Sequence, residues 1–412
     1  MCEQIRELKA GTTDENHEAA EKGINVIGSV DGKKYIISVS EEDCTSCGAC
    51  INVCPGMRGE KALSFGEKDK QRQVLANTLF NGHVNDVKDN KYTIKGSQYC
   101  KPKFEFSGAC AGCGEAAYLK LLTQLFGDNL IIANATGCSS IYGGSVPSFP
   151  YSIPWANSLF EDNAEFGFGI LNGYKTIRNN ISDLMNKYYD SVSDDIKVKF
   201  DEYRNNIDDY DKSKDIYESL KNEELPKELD DLKQYINKPS VWAVGGDGWS
   251  YDIGFSGIDH VLSSNENINI LILDTEVYSN TGGQASKSSH YGQVAQFAAM
   301  GKRTNKKDMF RIAMSYPNVY VGSISLGSNM FQAIKTMKEA YEHNGPSIII
   351  AYSPCIEQGI KKGMSCASLE QKLAVECGYN ILMRYDGKEL FIDSKEPDFE
   401  KYHDFLNGEV RY

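Results

Sequence analysis

Asp247 and Thr275 are hard oxygen donors, and each closes an apolar β-branched run. Gly245, Gly246 and Gly248 surround the first, and the small polar loop Ser279-Asn280-Thr281-Gly282-Gly283 follows the second. Two oxygen ligands beside glycine-freed amides suit Mg²⁺ on a diphosphate, because Mg²⁺ takes few protein ligands and lets phosphate oxygens complete its octahedron. A plain α/β unit whose glycines merely turn the chain has the same outline. The second loop favours a ligand, since backbone carbonyls and an amide side chain can approach closely there.

The cysteines offer a second chemistry. Cys44, Cys47, Cys50 and Cys54, followed by Pro55, form a C-x₂-C-x₂-C-x₃-C-P run. That spacing lets three thiolates cap one face of an iron–sulfur cube. Zinc would use paired CxxC or Cys/His spacings, and no histidine stands near enough to help. Cys110 and Cys113 form a separate CxxC, which by spacing alone also fits a redox disulfide. Cys138 and Cys355 lie in loops flanking the oxygen donors. Cys2, Cys100, Cys366 and Cys377 have no such setting and read as small buried hydrophobes.

These residues need elements to carry them. Residues 241–244 and 268–273 read as buried parallel strands joined through one amphipathic helix over 250–262, a βαβ unit. Both strands end at one sheet edge, so Asp247 and Thr275 are predicted side by side where α/β proteins bind ligands. Residues 104–125 place Cys110, Cys113 and Glu115 at a glycine turn before a helix. A strand over 131–133 leads to Cys138, and one over 347–352 leads to Cys355. Residues 23–40 read as a hairpin turning at Asp31-Gly32. Further expectations are a strand over 91–94, an aromatic–proline segment over 142–155 that covers a pocket or is an ordered surface loop, a helix over 290–301, a strand over 319–323 and a helix over 330–343. Residues 174–237, rich in Lys, Asp, Glu, Asn and Tyr, read as exposed helices separating two halves of the fold.

GDGWSYDIG at 246–254 and DTEVYSNTGGQ at 274–284 resemble the thiamine-diphosphate domain of the pyruvate:ferredoxin (flavodoxin) oxidoreductase family, and the likeness extends over nearly the whole chain. It implies an α/β thiamine-diphosphate-binding fold with a mostly parallel sheet, preceded by a small ferredoxin-like α+β module. The implied layout is a polar leader at 1–24, the second half of the ferredoxin-like module with a linker at 25–100, and the thiamine domain at 101–412 with a charged insertion over 174–238. By motif match Asp247, Thr275 and the Val277 carbonyl hold Mg²⁺. Gly246, Asp247, Gly248, Trp249, Thr275, Glu276, Val277, Tyr278, Ser279 and Asn280 line the cofactor, with Asn280 catalytic beside the reacting carbon. Cys110, Cys113, Cys138 and Cys355 hold a [4Fe–4S] cluster near the thiamine, which Glu115 and Cys138 contact. Cys44, Cys47 and Cys50 hold a second cluster, and Cys54 belongs with a companion run that this chain lacks.

The implied activity is oxidative decarboxylation of a 2-oxoacid, pyruvate first among them, to an acyl-CoA. Thiamine diphosphate, Mg²⁺ and [4Fe–4S] clusters are its cofactors, coenzyme A is co-substrate, and ferredoxin or flavodoxin takes the electrons. The family's substrate and coenzyme A domains are missing, so the chain is expected to be a carboxyl-terminal fragment or one subunit of a pair. A non-catalytic iron–sulfur electron relay is the rival reading. The 44 basic against 57 acidic residues, a net charge of −13, argue against nucleic acid or anionic membranes as partners. No long apolar stretch or apolar signal core is present, so a cytoplasmic protein, and a homo-oligomer as in the family, is expected.

Overall fold

A computed structural model describes residues 4–8, 28–30, 33–54, 60–70, 73, 74, 77, 90–147 and 149–412, with side chains from residue 39 onward. Apolar runs bounded by glycine or polar turns become its strands. In chain order these are β1 (Gln4–Leu8), β2 (Gly28–Val30), β3 (Lys33–Ser38), β4 (Leu130–Ala135), β5 (Trp155–Ser158), β6 (Ser240–Gly246), β7 (Asn269–Asp274), β8 (Val277–Tyr278), β9 (Gln284–Ala285), β10 (Tyr320–Ile324), β11 (Ser347–Tyr352), β12 (Met383–Tyr385) and β13 (Leu390–Ile392). The main sheet runs β13-β12-β10-β11-β7-β6-β4-β5. From β10 to β5 every pairing is parallel, and β12 and β13 join antiparallel at one edge.

A parallel sheet must be covered on both faces, so its central strands carry apolar residues on both. Val241, Ala243, Ile270 and Ile272 enter one core with Ile258 and Val261. Their neighbours Trp242, Val244, Leu271 and Leu273 enter the other with Leu119, Leu122 and Phe126. Each Val, Leu, Ile or Phe among them contributes about 1.5–3 kcal/mol through burial.

The described helices are α1 (Ala49–Val53), α2 (Ile94–Tyr99), α3 (Gly114–Phe126), α4 (Cys138–Gly143), α5 (Asn163–Lys187), α6 (Asp194–Asn205), α7 (Tyr210–Leu220), α8 (Lys227–Asp230), α9 (Phe255–Ser263), α10 (Met309–Met314), α11 (Met330–Glu342), α12 (Ala367–Glu376) and α13 (Tyr402–Gly408). The 174–237 region is more than exposed helices. Ile181, Met185, Ile196, Phe200, Tyr203, Ile216, Leu220, Leu229 and Ile236 form a separate core of its own.

Other expectations are corrected. The single helix over 250–262 is a π-helix, Gly248–Ile253, followed by α9. Gly254 N–H donates to Trp249 O, 2.8 Å away, one residue further back than an α-helix allows. Residues 290–301 are not helical. Gly292, Phe297 and Gly301 have positive φ, and the backbone is spent on distant partners such as Val294 N to Arg411 O and Gln296 N to Gly283 O. The strand expected over 91–94 is a turn into α2, because the Thr93 side chain caps Gly96 N. Within the leader given no structure, β1 pairs antiparallel with β3. β2 and β3 pair as a hairpin, while its turn, Asp31-Gly32, lies outside the described residues. Trp155, read as the end of a loop, begins edge strand β5.

Candidate metal and cofactor site

Strand order sets out the site. β11, β7, β6 and β4 are neighbours, and their carboxyl ends lead into Cys355, Thr275, Asp247 and Cys138 respectively. Strands lie about 4.8 Å apart, so four residues distant in sequence line one edge. Thr275 Oγ1 lies 3.0 Å from Asp247 Oδ1, 3.1 Å from Val277 O and 2.7 Å from Ser279 Oγ. The single Thr275 hydroxyl proton cannot serve both the Asp247 carboxylate and the Val277 carbonyl, so the cluster is rich in oxygen lone pairs. Asp247 is 1% exposed, and burial and the neighbouring Asp274 push its carboxyl well above the usual range. Buried, hard oxygen donors crowded on one point have the chemistry that suits a hard divalent cation such as Mg²⁺. Gly248 keeps the cradle open, since a Cβ there would stand 2.4 Å from the Tyr278 ring.

The thiols gather at the same edge. Cys113 caps α3, and Gly114 N–H donates to Pro354 O at 3.0 Å, which ties the CxxC turn to the Cys355 loop. A Cβ on Gly114 would meet Pro354 at 2.6 Å. Cys355 Sγ donates to Ser279 Oγ at 3.4 Å, one step from Thr275. Burial raises the Cys113 thiol to about 12 and the Cys355 thiol to about 11. Cys138 is raised by burial, by Glu115 and by Cys355, Cys113 and Cys110, so Cys138 lies within electrostatic reach of the other three thiols. Among the described residues no three His, Cys, Asp or Glu side chains stand at single-ion separation. A cube spreads its ligands wider, one iron to each thiolate, and four soft sulfur donors fit it. Glu115 is buried beside them with its carboxyl raised to about 7 by burial, and it accepts from Tyr142 OH at 3.0 Å.

Cys44 and Cys47 lie in the loop before α1, Cys50 is within it, and Cys54 follows its end. Ser46 and Gly48 have positive φ there, wrapping the loop, and Ser46 N–H donates to Cys44 Sγ at 3.4 Å. Asn52 Nδ2 donates to Ser365 O at 2.9 Å, and Gly112 packs on Met364, so residues 364–366 bridge the two cysteine sets. A cavity of about 430 Å³ is lined by Cys47, Cys110 and Cys113 among others.

Residues 232–351 match the family model for the C-terminal TPP-binding domain of thiamine pyrophosphate enzymes, and residues 37–56 match the 4Fe-4S binding domain. The chain is 46% identical over 440 residues to the pyruvate-flavodoxin oxidoreductase of Klebsiella pneumoniae, covering 100% of this chain and 37% of that protein. It belongs to the pyruvate:ferredoxin (flavodoxin) oxidoreductase family, as a carboxyl-terminal portion. The pyruvate:ferredoxin oxidoreductase of Moorella thermoacetica is 46% identical over 92% of this chain and 35% of its own length. The mitochondrial pyruvate dehydrogenase [NADP(+)] of Euglena gracilis is 42% identical over 90% of this chain and 21% of its own. The chain thus spans little more than a third of the first two of these oxidoreductases.

Two residues read as cofactor lining direct their side chains elsewhere. Trp249 is fully buried in the core beside Ile258, and the Glu276 carboxylate enters a buried ion cluster. Asn280 is exposed in the turn between β8 and β9. Sequence reasoning missed Ser286, whose Oγ donates to Asp247 Oδ2 at 2.5 Å. It also missed Lys306, whose Nζ lies 2.6 Å from Asp274 Oδ2 and 2.9 Å from Glu276 Oε1. The one sequence signal for Lys306 is the basic stretch GKRTNKKD at 301–308, whose pattern fits a solvated turn or a partner contact and gives no sign of a buried lysine.

Proposed function

We propose that this chain is the cofactor-binding and electron-transfer part of a 2-oxoacid oxidoreductase acting on pyruvate, with coenzyme A as acyl acceptor and ferredoxin or flavodoxin as electron acceptor. The observation that carries the reading is the crowding of Asp247, Val277 and Ser279 oxygens around Thr275, on a sheet edge shared with four thiols. Asp247, Thr275 and the Val277 carbonyl would anchor Mg²⁺ and through it the diphosphate, leaving Gly246, Gly248 and residues 278–280 to bound the cofactor. Thiamine diphosphate supplies the carbanion chemistry that cleaves a 2-oxoacid, and iron–sulfur clusters supply one-electron acceptors. Cys110, Cys113, Cys138 and Cys355 would hold one cluster at the cofactor's edge. Cys44, Cys47, Cys50 and Cys54 belong to the ferredoxin-like module across the Cys47 cavity, so electrons have a short exit. The division into a leader, a ferredoxin-like module and a thiamine domain with a 174–238 insertion is part of the same reading.

A partner that completes the site is supported by the rim of that edge. Val146, Leu159, Ile253 and Ile356 stand in the segments that follow the carboxyl ends of β4, β5, β6 and β11, and Phe297 and Met300 in the loop whose Gln296 N–H donates to Gly283 O; all six are exposed, Phe297 at 94% and Met300 at 90%. Bulky apolar side chains gathered around a site's mouth mark a surface that another protein face covers. The amino-terminal part of the longer relatives, or a subunit equivalent to it, is the occupant we assign, with homo-oligomerisation of the whole. No described helix is long and apolar enough to cross a membrane, and the thiolate-rich site suits a reducing cytoplasm. The relatives are named for flavodoxin, ferredoxin and NADP(+), so the carrier varies among them. Anaerobic assay of pyruvate-dependent viologen reduction, with and without the complementing amino-terminal part, tests the activity. Reduction with that part present supports it. Full cluster content with no reduction in either case leaves the electron relay as the function.

A further inference from the structure

Among the described residues, five non-glycine residues have positive φ: Ser46, Phe106, Asn265, Glu276 and Phe297. Glu276 alone of these is buried, at 1% exposure and φ 65°. A glutamate in the left-handed region is strained, and such strain persists only where the surroundings enforce it. It also sits between Thr275 and Val277, the two residues whose oxygens must turn toward Asp247.

Every polar atom of Glu276 is engaged. Its N–H donates to Asp274 Oδ1 at 3.2 Å. Its carbonyl accepts from Ser289 Oγ at 2.5 Å and from Gln293 Nε2 at 3.2 Å. Oε1 meets Lys306 Nζ and His290 Nε2, both at 2.9 Å. Oε2 meets Arg411 Nη1 at 2.6 Å and Tyr379 OH at 2.7 Å. Arg411, also 1% exposed, is held in turn by Glu409. Apart from Asp274, these partners come from four separate stretches of chain, the furthest 135 positions away.

We propose that Glu276 is a positioning residue for the divalent metal: its carboxylate, clamped by Arg411 and Lys306, holds residues 275–277 in the left-handed turn that aims the Thr275 hydroxyl and the Val277 carbonyl at Asp247. Metal affinity is then set by an ion cluster that contacts neither metal nor diphosphate. The inference rests on the metal site described above.

The test uses the full 412-residue chain with thiamine diphosphate and Mn²⁺ as the probe, free Mn²⁺ being counted by electron paramagnetic resonance well below each variant's melting midpoint. Wild type should bind and Asp247→Asn should not; absence of binding by wild type overturns the metal site itself. Glu276→Gln and Arg411→Met should each weaken Mn²⁺ binding about tenfold or more, the usual effect of removing an outer partner of a ligand. Arg411→Lys, which keeps the charge, should retain most of the affinity. Glu276→Gly frees the left-handed backbone but removes the clamp, and should weaken binding as well. A merely structural role would lower the melting midpoint and leave the Mn²⁺ dissociation constant alone. Wild-type affinity in both Arg411→Met and Glu276→Gly, with binding still lost in Asp247→Asn, overturns the proposal and leaves the metal site standing.

Discussion

At the scale of single residues, two substitutions separate the thiol chemistry from the oxygen chemistry. Cys138→Ala removes one of four thiols gathered at the sheet edge and should cost at least one iron per anaerobically reconstituted chain, since the iron at that corner of the cube loses its thiolate. Iron and acid-labile sulfide analysis reads the loss, and an iron content equal to wild type would remove Cys138 from the ligand set. Gly114→Ala drives a methyl group toward Pro354, 2.6 Å away. It should destabilise the chain by about 1–3 kcal/mol, as overpacking does, and loosen iron retention, because the Cys113 turn and the Cys355 loop would be forced apart. Urea denaturation and iron release to a chelator measure the two effects. A chain as stable and as retentive as wild type would show that the two loops move independently.

At the scale of elements, the 174–238 helices and the sheet have separate cores. Phe200→Ala should therefore cost the helical region about 3–5 kcal/mol, as large cavities do, while the Mn²⁺ dissociation constant stays as in wild type. A matching loss of metal affinity would mean that the two cores unfold as one. The elements that carry the site were legible in the sequence because parallel strands are apolar throughout and end in glycine or polar turns; 241–244, 268–273 and 347–352 all read this way. Local pattern failed where backbone geometry depends on distant partners. Residues 290–301 have helical composition, yet their amides bond to Arg411, Lys302 and Gly283. The π-helix depends on where the Trp249 indole packs against Gly254. Glu276 could be placed beside the metal ligands, but its turn and its partners His290, Lys306, Tyr379 and Arg411 are products of the fold.

At the scale of the whole molecule, the chain presents an apolar rim around its cofactor edge. Phe297→Ser with Met300→Ser should reduce self-association of the isolated chain in light scattering while changing stability by no more than about 0.5 kcal/mol, since both side chains are exposed. Unchanged scattering would argue that the rim is not adhesive. On the reading we propose, one sheet edge holds a divalent metal on Asp247 and, beside it, a cluster on Cys110, Cys113, Cys138 and Cys355. Electron paramagnetic resonance of the reduced, reconstituted chain with thiamine diphosphate tests it directly, comparing Mn²⁺ with diamagnetic Mg²⁺. Mn²⁺ should broaden and speed the relaxation of the cluster signal that Cys138→Ala abolishes, and Asp247→Asn should remove that effect. Cluster signals identical in Mn²⁺ and Mg²⁺, with Mn²⁺ bound, would contradict the shared edge.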